Sequence, residues 1–202
     1  MKSAFHHGDL ADGLLQAASS LIAERASSEF SLRELALSLG VSHAAAYRHF
    51  RDKRALLGEL ATRGFIALDE ALATAANGAG PTAPERLTAM TLAYIDFACA
   101  NAGAYRILFH PDLCERGDFP ALTQAAMAAF ARLEQEVAAG QATGSLKAEL
   151  PAAIIASALW SAVHGYATLF LDRQIDHDGA AGDRPPADKT VLIKLLIDSV
   201  RR

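Results

Sequence analysis

Between Ser31 and Phe50 the chain sets down two helical patterns, each too short to persist in water by itself, joined through Gly40-Val41. Helices below about 12 residues are marginal unless other elements cover them, so this segment has to be held by a surrounding fold. Ser31-Leu32-Arg33-Glu34 is a capping box: the Ser hydroxyl accepts from an orphan amide while the Glu side chain reaches back to the Ser amide. The helix it opens turns Leu32, Leu35, Ala36 and Leu39 inward and meets Gly40, which suits the left-handed position that ends a helix. Ser42 caps a second helix, His43 to Phe50, whose Ala45, Ala46 and Phe50 share roughly one side. Two short helices joined by a Gly-containing turn of about three residues cross steeply, and the second projects like a peg.

The rest of the chain is helical by the same criteria. Asp9 to Arg25 carries apolar residues at Leu10, Leu14, Ala17, Ala18, Leu21 and Ile22, the spacing of an amphipathic helix, with Asp9 as its expected cap. Asp52 caps a long helix through Leu56, Leu57, Leu60, Phe65, Leu68 and Leu72 to about Ala76, and Asn77-Gly78-Ala79-Gly80-Pro81 follows as a breaker. Helical patterns recur over 84–101, 104–109, 119–139, 149–172 and 187–201, and His177 to Pro186 is expected to be a surface loop. Alanine, the best helix former, makes up 44 of 202 residues, and no strand-period segment competes. The expected fold is all-α: an N-terminal three-helix helix-turn-helix domain over 1–51, its motif extending to about 65, joined by a long helix to a helical bundle within 52–202.

Charge narrows the partners. The net charge of −4 divides unevenly: residues 1–64 hold eight Lys or Arg against seven Asp or Glu, so the body carries the acid at −5. Leu35 to Arg51 has no acidic residue, and Arg48 to Arg54 sets four basic residues against Asp52. An acidic body repels nucleic acid except where such a stripe is presented. Cys99 and Cys114 stand without a C-x-x-C pattern, which fits a reduced cytoplasm, and the charged residues among the first twenty argue against a secretory leader. Leu150 to Leu171 runs 22 residues without a charge, long enough for a membrane span. Its Pro151, its alanines and serines and its His164 favour a buried helix instead, and no membrane partner is expected.

The outward face of the peg carries the first set of candidate residues. His43 suits base edges, Ala44 is small enough to meet a thymine methyl, and Tyr47, His49 and Lys53 reach phosphate oxygens. Arg33, near the start of the supporting helix, has a guanidinium able to donate twice to a guanine, a contact worth about 1 to 3 kcal/mol of discrimination. Ser31 and Ser42 offer hydroxyl and amide donors to phosphate. Ala45 and Arg48 complete the candidate set. Singly, each has a plainer role: a surface histidine, a packing tyrosine, an arginine paired with Glu29 or Glu34.

Taken together, the run from Ser31 through Gly40-Val41-Ser42-His43, Tyr47, His49-Phe50 and Lys53 to Leu57, with His6-His7-Gly8-Asp9-Leu10 before it, resembles the DNA-binding domain of TetR-family transcriptional regulators. The resemblance implies a three-helix head in which Arg33 and the start of the third helix touch bases while Ser31, Tyr47, His49 and Lys53 hold the backbone. Ala46 departs from the larger apolar residues or Pro frequent at that position. Trp160-x-x-x-His164-Gly165 is similar to the Trp-His-Gly motif of one C-terminal subgroup of the same family.

In the helix around that motif, Ala153, Ser157, Ser161, Gly165 and Thr168 fall on one face and Ile155, Leu159, Val163, Tyr166 and Phe170 on the opposite one. A helix apolar or small all round has to be covered all round. The small ridge admits a close neighbour, and with Leu192 and Leu196 of the broadly apolar last helix it marks a candidate dimer face; a monomeric core is the alternative. His164 is either a buried, hydrogen-bonded histidine or a ligand contact. Met90, Tyr94, Phe97, Tyr105, Phe109, Met127, Phe130 and Trp160 are plain core or the lining of an apolar pocket. No basic cluster accompanies them, which speaks against a multiply charged phosphate ligand.

The expected function is that of a homodimeric, ligand-responsive regulator, a repressor released from a palindromic double-stranded operator by a small apolar or aromatic effector, with no cofactor and no metal. The alternatives are a DNA-binding dimer without an effector, or a small helical enzyme using His164. For the latter the chain offers no metal-spaced ligand set, no phosphate loop and no Gly-x-Ser-x-Gly elbow.

Overall fold

The computed structural model describes residues 7–113, 118–175 and 188–202. Among them it forms nine α-helices: α1 (His7–Arg25), α2 (Leu32–Ser38), α3 (His43–His49), α4 (Lys53–Gly78), α5 (Ala83–Ala100), α6 (Ala102–Leu108), α7 (Pro120–Ala142), α8 (Ala152–Leu171) and α9 (Lys189–Val200), with a 3₁₀ turn at Pro111–Leu113 after α6. The expected all-α architecture is what forms. Helix starts differ in one instructive place: α1 opens at His7, so Asp9 lies inside the helix rather than capping it. At α4 the expected cap does form, with the Ala55 amide donating to Asp52 Oδ1 at 2.7 Å. The Asn77-Gly78 pair does not stop α4, which runs through it before the chain turns at Gly80-Pro81. The segment expected as a surface loop, His177 to Pro186, lies outside the described residues.

The chain packs as two units. The first comprises the chain up to Phe65 together with Asn101–Ala125, so that it includes α1, α2, α3, the first half of α4, α6 and the start of α7. Its core is built from Leu14, Ala18 and Ile22 of α1, Leu32 and Leu35 of α2, Ala46 of α3, and Leu56, Leu57 and Ala61 of α4, all with almost no exposed surface. Each such leucine contributes about 1.5–3 kcal/mol through burial. α6 lies against α1, where Gly103 faces the Ser19 backbone. Phe109 meets Phe65 edge-on at 5.5 Å and Tyr105 at 6.1 Å.

The second unit comprises Ile66–Ala100 and residues from Ala126 onward. Leu68 and Leu72 of α4, Leu87, Met90 and Ile95 of α5, Leu133 and Val137 of α7, Leu159 and Val163 of α8 and Ile193 of α9 fill its core. Arg132 grips Asp69 through two bonds of 2.5 and 2.7 Å, tying α7 to α4, and Arg86 meets Glu136 at 2.7 Å, tying α5 to α7.

Candidate functional sites

The turn between α2 and α3 satisfies its own backbone. Gly40 takes φ +67°, a left-handed conformation open to glycine at little cost, and the Gly40 amide donates to the Leu37 carbonyl while the Val41 amide donates to that of Ala36, both at 3.0 Å. Ser31 Oγ accepts the Glu34 amide at 3.1 Å and Ser42 Oγ accepts the Ala45 amide at 3.2 Å, so both serines cap as their positions predict. Each hydroxyl, having accepted, retains a proton to donate outward. The Glu34 carboxylate lies on Arg25 at 2.7 Å.

Arg33, Ser31, Ser42, His43, Ala44, Tyr47 and Arg48 are exposed, with Tyr47 50% accessible, and α2 and α3 bring them onto one region of the first unit. His49 is half-buried. Lys53 is half-buried too, its ammonium 5.2 Å from the centre of the Phe30 ring. Ala45 is not brought to this face: it is buried beside Ala46 because the two alanines occupy the side of α3 that packs on the core. The basic stripe is also thinner than its count. Arg51 lies 3.2 Å from Asp52, and Arg54 donates to the Asp112 carbonyl and to Asp118 and stacks over Phe119. Leu37, a turn beyond Arg33 on the same outward side of α2, is 78% exposed, and the inward set Leu32, Leu35, Ala36 and Leu39 already left that phase facing out.

The second unit holds a small apolar cavity of about 10 Å³, room for about one water. Leu72 of α4, Met90, Thr91 and Tyr94 of α5, and Leu133 of α7 form part of its wall. Leu159, Trp160 and Val163 of α8 complete it. Trp160 stands edge-on to Tyr94 at 5.2 Å and to Phe130 at 5.8 Å. Tyr94 Oη and His164 Nδ1 are 3.1 Å apart and share a hydrogen bond. His164 is therefore bonded to a side-chain hydroxyl. Burial pushes its pKa below the ordinary imidazole value, favouring the neutral ring. Phe97 is buried on the same helix as Tyr94. Tyr105 and Phe109 belong instead to the first unit, and Met127 is 67% exposed. Met127 lies two residues from both Ala125 and Ala129, which are buried, and two residues on a helix are about 200° apart.

Of the candidate dimer residues, Ser157 and Ser161 are exposed and Ala153, Gly165, Thr168, Leu192 and Leu196 half-buried, while Ile155, Leu159, Val163 and Tyr166 fill the core on the opposite side of α8. The large side chains on these outer faces are Ile154, Leu169, Val191 and Leu195, each 46 to 65% exposed. By length and composition α8 alone, among the described residues, is apolar enough to cross a membrane.

A turn-linked helix pair with an exposed polar and basic face in one unit, and a second unit that is a helical bundle, are the parts of a helix-turn-helix regulator. Residues 14–60 match the model of bacterial regulatory proteins of the tetR family, and residues 87–188 match the tetracyclin repressor-like C-terminal domain. The chain belongs to the TetR family and is a DNA-binding transcription regulator. The C-terminal match names no Trp-His-Gly subgroup. Among solved structures, a protein of unknown function from Rhodococcus sp. RHA1 is 31% identical with a TM-score of 0.81, covering 99% of this chain and 100% of that one. A tetR-family regulatory protein from Rhodococcus RHA1 is 20% identical (TM-score 0.71, covering 95% and 96%). The fatty acid degradation regulator FadR from Bacillus halodurans is 17% identical (TM-score 0.73, covering 93% and 92%) and shares the fold. No curated protein matches the chain.

Proposed function

We propose that the chain is a cytoplasmic, homodimeric repressor that leaves a pseudo-palindromic operator when a small apolar or aromatic molecule occupies the cavity of its second unit. The observation that carries the DNA half is the exposed set Arg33, His43, Ala44, Tyr47 and Arg48 on a capped helix pair. In a dimer, two such faces read half-sites about 34 to 36 Å apart when these lie one helical turn apart. The dimer half rests on the uncharged outer face of α8, where Ile154, Ser157, Ser161, Gly165 and Leu169 follow one another, continued by Val191 and Leu195 of α9. In water such a face calls for a partner, and a second copy supplies one by symmetry.

The effector half rests on the cavity and on α4, which contributes residues to both units. A ligand that binds the DNA-free form better weakens operator affinity by the same coupling free energy with which the operator weakens its own binding. The cavity's volume of about 10 Å³ is far below the ~300–1,000 Å³ usual for ligand sites, so an effector has to open it, and an effector-free dimer is the second reading. Operator fragments selected from random DNA, titrated at fixed salt with and without a metabolite library, separate the two. Release by at least one compound is expected, and a dimer that binds operator but answers to no compound overturns the effector reading.

A further inference from the structure

We propose that the open groove between α5 and α9 is a small-molecule site separate from the cavity beside Trp160, and that it takes a monocarboxylate with a hydrocarbon body, its carboxylate on Arg201 and its body along the groove floor. The groove lies wholly within the second unit and has a volume of about 440 Å³, inside the ~300–1,000 Å³ usual for ligand sites. It shares no lining residue with the small inner cavity. Val191 and Leu195 of the candidate dimer face are absent from its wall as well, so the proposed dimer does not call on it.

The floor is apolar: Pro84, Ile193 and Ile197 are buried and Leu92 half-buried, and a hydrocarbon laid on them leaves water along one side. Thr190 and Arg201 both line the groove, eleven residues apart on or just past α9, about 16 Å at the helical rise and long enough for an extended alkyl chain. The charged rim is committed in all but one place. Lys194 meets Asp198 at 3.0 Å, and Glu85 Oε2 accepts from the Thr82 amide at 2.9 Å and the Thr82 hydroxyl at 2.6 Å. These Thr82 bonds, with the Arg201 charge at longer range, hold the Glu85 carboxyl below the usual carboxylate range. Arg201 itself forms no ion pair among the described residues, and its guanidinium keeps five donors for an anion. Its backbone is fixed: the amide donates to the Ile197 carbonyl at 3.0 Å, and the residue bridges to Leu146. A cation entering the groove would have to compete with Lys194 and Thr82 for carboxylates already bonded, whereas an anion meets a guanidinium with no partner.

The test titrates the full-length protein, labelled with ¹³C at isoleucine methyls, with octanoate, 1-octanol and octylammonium. Octanoate is expected to shift the Ile193 and Ile197 methyl signals while leaving Ile22 of the first unit unmoved. It should bind at least about threefold more tightly than the alcohol or the ammonium, the scale of one exposed ion pair. Arg201→Gln should erase that preference, Arg201→Lys should retain most of it, and Arg201→Glu should turn it toward octylammonium. These changes alter an exposed side chain and leave the backbone bonds in place, and the wild-type series decides even if a variant misfolds. Octylammonium binding the wild type as tightly as octanoate does, or an octanoate preference that survives in Arg201→Gln, overturns the assignment. So do Ile193 and Ile197 signals that answer to protein concentration and not to octanoate, which would make a second copy the occupant. Trp160, the chain's single tryptophan, lines the inner cavity, so a change in its emission with unmoved Ile193 and Ile197 signals would put the binding there and overturn the proposal too.

Discussion

Gly103 of α6 faces the backbone carbonyl of Ser19 in α1 so closely that a Cβ built on it would stand 1.8 Å from that oxygen. The obstacle is backbone, which cannot swing aside, so α6 has to leave α1 or the helix has to bend. Gly103→Ala is expected to destabilise the first unit by about 1–3 kcal/mol or more, the usual cost of overpacking. A urea melt followed by circular dichroism measures it, and the same variant should lose operator affinity because α1 supports α2 and α3. Gly58→Ala provides the contrast: its Cβ would press on the Phe119 ring 2.4 Å away, a side chain able to move, so a smaller loss is expected.

On the reading face, Arg33 and Lys53 are expected to fail differently. Arg33→Ala removes a candidate bidentate guanine contact and should cost about 1–3 kcal/mol at one operator position while relaxing specificity there. Lys53→Ala should weaken binding evenly across sequences and lower the salt slope by about one, as for a phosphate contact. Tyr47→Ala, at a half-exposed ring, should abolish operator binding with little change in the melt. Fluorescence anisotropy over a salt series distinguishes all three, and a Lys53 variant whose slope is unchanged would remove it from the interface.

Much of the head was legible because short-range chemistry determines it: Ser31, Gly40 and Ser42 have few conformational alternatives, and the residues between them alternate between core and solvent with helical phase. The body was legible as helices but less so as a site. Met127 and Phe130 look equivalent in an aromatic and methionine stripe, yet three positions of helix separate an exposed side chain from one packed on Trp160. Tyr105 and Phe109 look like pocket residues from composition, and pack instead in the first unit, because α6 is covered by α1, far from it in sequence. Long-range pairings such as Tyr94 with His164 leave no local signature at all.

Gly165 tests the dimer face. A Cβ there meets nothing within 4 Å in the single chain, so Gly165→Ala should stabilise α8 by about 0.5–1 kcal/mol through helix propensity. Gly165→Leu should leave the isolated fold intact yet hold a neighbouring helix away. Sedimentation velocity over a concentration series is expected to show a raised dimer dissociation constant for the leucine variant. Unchanged self-association in Gly165→Leu would place the interface elsewhere.

His164 makes stability depend on pH in a defined direction. Burial holds its folded-state pKa below the ordinary value of 6.5, so as the pH falls through that value the unfolded chain takes up a proton that the folded chain resists. The stability linked to this group is complete above the unfolded value and is lost on acidification. His164→Gln, which keeps an amide able to bond Tyr94 but cannot titrate, removes that dependence. Between about pH 7.5 and 5.5 the urea midpoint of the wild type should fall further than that of the variant, the difference isolating His164 from the other histidines. If the two midpoints fall in parallel, the imidazole is already solvated in the folded chain and its burial is not what links stability to pH.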